Sequence, residues 1–116
     1  MSDRLKDLLE GYLAGSESAF DDVAELSSGD PEACWRLLEL ARAGDLSDRQ
    51  LAALSAGPFE DLLSRHGEAY LPRVEIAARQ DQKMRYLLAT VWQGGMDKPT
   101  WARVMAIREA LSISPA

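Results

Sequence analysis

The residues of this chain best suited to chemistry fall in the stretch Gly57-Pro-Phe-Glu-Asp-Leu-Leu-Ser-Arg-His-Gly67. Glu60, Asp61, Arg65 and His66 place two carboxylates, a guanidinium and the chain's only imidazole close together in sequence. Gathered around one pocket, such a set could do acid–base work or hold a small ligand. Against this, adjacent Glu60 and Asp61 diverge by about 100° on a helix and do not easily face one ion. One histidine with carboxylates is also a thin donor set for a transition metal. A structural reading serves these residues as well. Glu60 and Asp61 occupy a first helical turn, where negative charge is favoured, and His66 finishes a helix by bonding its last carbonyls. The single cysteine, Cys34, has no imidazole near it in sequence and adjoins Trp35 on an apolar helix, so it is expected to be a buried, inert thiol. The chain has no glycine-rich phosphate loop, CxxC, HExxH or GxSxG. No catalytic residue, metal site or cofactor is expected.

A second group lies further along. Trp92 and Trp101 flank the loop Gln93-Gly-Gly-Met-Asp-Lys-Pro-Thr100, which carries the apolar Met96. Tryptophan and methionine around a mobile loop suit a partner-binding surface, with Trp92, Met96, Trp101 and Arg85 as the candidate residues. The competing reading has both indoles packing inward at the ends of their helices. Trp35, within a dense apolar line, is expected in the core.

Charge separates the two groups. Residues 1–64 hold 5 Lys/Arg against 14 Asp/Glu, and residues 65–116 hold 8 against 5, so a net −6 divides into −9 and +3. The acidic half would repel a phosphate backbone, which disfavours nucleic-acid binding. It would suit a basic partner, or a second copy of the chain through charge-complementary halves; acidic residues on solvated helix faces account for it equally. At 116 residues with 47% hydrophobic residues, a single domain with one core is expected over 1–116. No apolar run reaches the ~18 residues of a membrane span, and Met1-Ser-Asp-Arg-Leu-Lys-Asp lacks a secretory pattern. The expectation is a cytoplasmic protein of bacterial style, touching no membrane.

Helices must position all of these side chains. Leu5, Leu8, Leu9, Tyr12 and Leu13 recur at helical spacing over 3–13. Ser16 opens a second helix with Phe20 and Val23 inward. Asp30-Pro-Glu opens a third, running to Ala43, and Ser47 caps a fourth through Ala56. Proline after Gly57 predicts a fifth helix over 58–66, stopped by Gly67. A sixth covers 68–80, with Pro72 awkwardly inside it. Asp81 caps a seventh over 82–92, and Pro99 begins the last. The sequence therefore predicts an all-α fold of seven or eight short helices packed as antiparallel hairpins. It would be a small helical-repeat-like stack or an orthogonal bundle, without a sheet.

The run Gly57-Pro-Phe-Glu-Asp-Leu-Leu-Ser-Arg-His-Gly67, with Val74-Glu-Ile-Ala-Ala-Arg79 after it, Val91-Trp92 beyond and Asp30-Pro-Glu-Ala-Cys-Trp35 before, resembles a bacterial family catalogued only as a domain of unknown function. Its core is Gly-Pro-x-Glu-Asp-Leu-Leu-x-x-His-Gly followed by Val-Trp, and the resemblance covers about residues 30–92. It implies no activity, ligand or catalytic residue. The function expected from the residues is a non-enzymatic protein–protein interaction module, of the inhibitor, immunity-protein or accessory-subunit kind. The alternatives are an enzyme or small-ligand-binding domain with a pocket near Arg65 and His66, and a self-assembling structural protein.

Overall fold

Capping residues set most of the helix boundaries. The computed structural model describes residues 2–114. It contains α1 (Ser2–Leu13), α2 (Glu17–Gly29), α3 (Pro31–Ala43), α4 (Asp48–Leu54), α5 (Glu60–Gln80), α6 (Gln82–Thr90) and α7 (Lys98–Ala110), with no strand among the described residues. Ser16 accepts from the Ala19 amide, Asp30 from Ala33 and Asp97 from Thr100. Ser47 and Gln50 form a reciprocal capping box. Asp81 accepts from the Lys83 amide at the start of α6. Each satisfies an amide that the helix itself leaves without a partner.

Between α4 and α5 the expected boundary is absent. Ser55–Phe59 is a π-helical turn that joins the two helices without a break, so six continuous helical bodies stand where seven or eight were expected. Pro58 has no N–H to donate back into the turn, and a widened turn absorbs that loss. At Gly67 the expected boundary is a kink and not a stop, with two helical stretches meeting at His66. α5 runs on through it to Gln80, with non-helical angles at His66 (φ −136°, ψ 27°), and Pro72 lies inside it on an exposed side.

The two glycines are required for space, since only Gly15 and Gly94 take positive φ among the glycines. A Cβ on Gly57 would occupy the place of the Tyr12 hydroxyl, which donates to the Ala53 carbonyl. A Cβ on Gly67 would lie 2.7 Å from Thr100 Cγ2. These bare positions let α1 close on the π turn and α7 close on α5.

α5 borders α2, α3, α6 and α7, and its Leu62, Leu63, Leu71 and Val74 are fully buried. Phe59, Leu37, Leu38, Leu54, Met84, Leu87 and Leu88 complete the same core, each contributing roughly 1.5–3 kcal/mol by leaving water. Trp35 joins it, 6% exposed. Phe20, expected inward, stands 41% exposed with its ring edge-on to Tyr12. No described helix is long and apolar enough to cross a membrane.

Candidate functional site

The Glu60–His66 group does not converge. His66 points to α2, where its Nε2–H donates to the Ser28 carbonyl at 3.2 Å. It does finish a helix end, but that of α2 and not its own. The Glu60 carboxylate lies against the backbone of Gly94, so the loop after α6 rests on it. Asp61 turns toward Cys34 and Tyr12, raising the pKa of both after burial has done so, while Arg65 stays in solvent. Burial pushes up the pKa of both carboxylates. Asp61 adds to the rise at Glu60, and Arg65 partly offsets it at Asp61. Carboxylates with raised pKa values are characteristic of active sites, but here each serves a different contact. Among the described residues no three His, Cys, Asp or Glu side chains are grouped to hold a metal ion. The Cys34 thiol, fully buried, donates weakly to the Pro58 carbonyl, and burial drives its pKa up to about 12. A thiol in that state is a packing group.

The second group does come together, with one exception. On α6, Met84, Leu87 and Leu88 face the core, which leaves Gln82, Arg85, Tyr86 and Ala89 as an outer stripe at helical spacing. That stripe walls a recess of 300 Å³ closed on the other side by Leu111, Ser112 and Ile113. A neighbouring recess of 290 Å³ is walled by Ala89, Thr90, Val91, Trp92, Gln93, Trp101 and Arg108. Adjoining at Ala89, the two recesses make up a groove along α6, faced by α7 and by residues 111–113 beyond its end.

Trp92 stands on its rim, 77% exposed. α6 stops at Thr90 and Val91 turns its side chain into the core, so the next residue is turned outward. Trp101 is half-buried beneath Arg108, whose guanidinium carbon lies 5.0 Å from the indole centroid. Arg85 donates through Nε to the Ala78 carbonyl at 2.6 Å and through an Nη to Arg79, tying off the end of α5. Met96 is the exception. It is only 4% exposed, its amide donating to the Gln93 carbonyl while its side chain packs into the core. An apolar side chain in a short loop is recovered by the core when the loop is tied back on itself, so Met96 is no part of the surface.

Arg108 was missed by reasoning from the sequence, where it reads as one basic residue among several. It is 6% exposed, donating through Nε to the Leu88 carbonyl and through Nη2 to the Val91 carbonyl, both at 2.7 Å. Burial alone lowers its pKa. Its seven-residue spacing from Trp101, two helical turns, is the signal that would have paired them.

A family model described as a family of unknown function (DUF6869) matches residues 16–111. The chain belongs to this family. The DUF6869 match reaches beyond the 30–92 stretch on both sides and takes in α2 to α7, with the whole of the Trp92–Trp101–Arg108 recess. No curated protein and no solved structure matches the chain. What this DUF6869 chain offers is thus an aromatic-rimmed groove lined by Arg108, with the Glu60 carboxylate supporting the loop that joins its two tryptophans.

Proposed function

We propose that the chain is a non-enzymatic protein–protein interaction module whose groove between α6 and α7 receives the partner. The observation that supports this is Trp92, which leaves most of a large indole in water beside a formed groove. Exposed indoles are costly to solvate and recurrently anchor interfaces. The dispersal of Glu60, Asp61, Arg65 and His66 argues against the pocket-based alternative, because Glu60 meets Gly94, His66 meets Ser28 and Arg65 stays in solvent. Short connections between successive helices favour hairpin-like packing, a rigid platform for such a surface.

The test compares three baits on one native lysate: wild type, Trp92→Ala, and Ile76→Ala. Ile76 is 61% exposed on α5 and does not line the groove. The expected result is a partner held by wild type and Ile76→Ala and lost by Trp92→Ala. Truncating an anchoring tryptophan costs about 2 kcal/mol or more, a fall of roughly 30-fold in affinity. A partner retained by Trp92→Ala would overturn the reading. Self-association that Trp92→Ala leaves unchanged would favour a structural role instead.

A further inference from the structure

Arg108 has more hydrogen-bonding capacity than the chain uses. A guanidinium carries five N–H donors. Nε and Nη2 each reach a carbonyl, while Nη1 has only the Met105 sulfur at 3.4 Å, a weak acceptor. No carboxylate pairs with Arg108 among the described residues. The other two arginines stacked on aromatic rings differ. Arg42 over Trp35 binds Asp81 at 2.8 Å, and Arg73 over Tyr70 binds Glu32 at 2.8 Å. Arg108 over Trp101 has the ring and the burial but not the acid.

We infer that the recess walled by Trp92, Trp101 and Arg108 recognises an acidic side chain of a protein partner, a Glu or Asp flanked by apolar residues, which Arg108 binds as a carboxylate. This rests on the groove being the docking surface and adds the partner's chemistry. Charge complementarity supports it: the charged side chains that line the two recesses, Arg108 and Arg85, are both cationic. The groove also continues past Ala89 to Tyr86, Leu111 and Ile113, so a passing segment can lay an apolar side chain there while its acid reaches Arg108. That geometry suits an internal side chain more than a chain terminus. Burial disfavours the charge of Arg108, and an arriving carboxylate would offset that cost.

The test leaves Arg108 in place, since removing it would also free the Leu88 and Val91 carbonyls. Isotope-labelled full chain is titrated with Ac-Leu-Ala-Glu-Ala-Leu-amide and with the same peptide carrying Gln for Glu. The indole N–H signals of Trp92 and Trp101 and the Nε–H signal of Arg108 are followed. The Glu peptide should shift all three saturably, with a Kd of about 1–10 mM, and the Gln peptide should bind at least roughly tenfold more weakly. Trp92→Ala should weaken the Glu peptide several-fold. Equal response to both peptides overturns the inference, as does no saturable shift up to about 20 mM. A response only to N-acetyl-leucine would assign the site to a chain terminus, and one only to inorganic phosphate would make it a phosphate site. If the peptides bind equally while Trp92→Ala still loses the captured partner, the docking surface stands and acid recognition falls.

Discussion

Two faces of this molecule are built from the same kinds of residue and end differently. On the α3–α5 face, Trp35 packs against Tyr70, Arg42 lies 5.6 Å over the indole, and Arg73 lies 4.9 Å over the phenol. The Tyr70 hydroxyl donates to Glu32, which also receives Arg73, so ring, cation and acid form a closed set. On the α6–α7 face, Trp101 carries Arg108, but no acid arrives and Trp92 stays in solvent. The first face is complete within the chain, and its charges are spent on holding helices together. The second lacks what the first contains, and the difference is one carboxylate and one cover for an indole.

The sharpest way to break this contrast is to truncate the aromatic of the closed face. Trp35→Ala removes a buried indole together with its contacts to Tyr70 and Arg42. It should cost about 3–5 kcal/mol in a denaturant melt, with the midpoint falling and the slope unchanged. A loss below about 1 kcal/mol would mean that this face is not part of the cooperative core.

Next in size are the close approaches that bring the outer helices in. Alanine at Gly57 gains up to ~1 kcal/mol of helix propensity, but it must displace the Tyr12 ring and its bond to Ala53. A net loss of about 1–3 kcal/mol is expected, partly relieved in Gly57→Ala with Tyr12→Phe. Gly67→Ala should cost a similar amount, and pairing it with Thr100→Ser, which removes Cγ2, should recover most of it. Additive double variants would show that these glycines serve the backbone, as the sequence reading held.

That reading failed at Gly57, and at Gly67 it met a kink at His66 in place of a helix end, for a definable reason. Glycine beside proline, and glycine after histidine, are local signals of helix start and stop. Here the cause is non-local, a side chain 45 residues earlier in one case and 33 later in the other. The boundaries that are local were legible: Ser16, Asp30, Ser47 and Asp81 all cap where their spacing predicts. The site followed the same rule. Trp92 and Trp101 were readable as a pair because they flank one short loop, residues 93–100. The burial of Met96 and the unmatched Arg108 depend on how a loop and two helices meet, which no short window encodes.

A smaller effect separates the two carboxylates of the motif from those of the closed face. Burial raises the pKa of Asp61, so the folded chain holds that proton to a higher pH than the unfolded chain does. Its contribution is therefore lost as pH rises through the window between the ordinary carboxylate value and the raised one. Glu32 runs the other way. The Arg73 and Tyr70 hydrogen bonds lower its pKa, and its contribution is lost as pH falls. Asp61→Asn should raise stability at pH 7 by less than about 1 kcal/mol after solvent screening, and change it little at about pH 3, where the raised Asp61 carboxyl is already mainly protonated. A variant less stable than wild type at pH 7 would mean that the ionised carboxylate holds a contact the fold needs.

The smallest expected change in stability is at Trp92, and it discriminates best between the faces. An indole 77% exposed has little packing to lose, so Trp92→Ala should alter stability by no more than about 0.5 kcal/mol, against several for Trp35→Ala. Its intrinsic fluorescence contribution should be readily quenched by iodide, and that of Trp35 should resist. Stability so indifferent to a large apolar residue is hard to account for by folding, since an exposed indole favours association at little structural gain. A large loss of stability in Trp92→Ala would mean that the ring is covered in solution by the chain itself, and the two faces would then be equivalent. Unchanged stability with lost partner capture would locate their difference in what each face still has to bind.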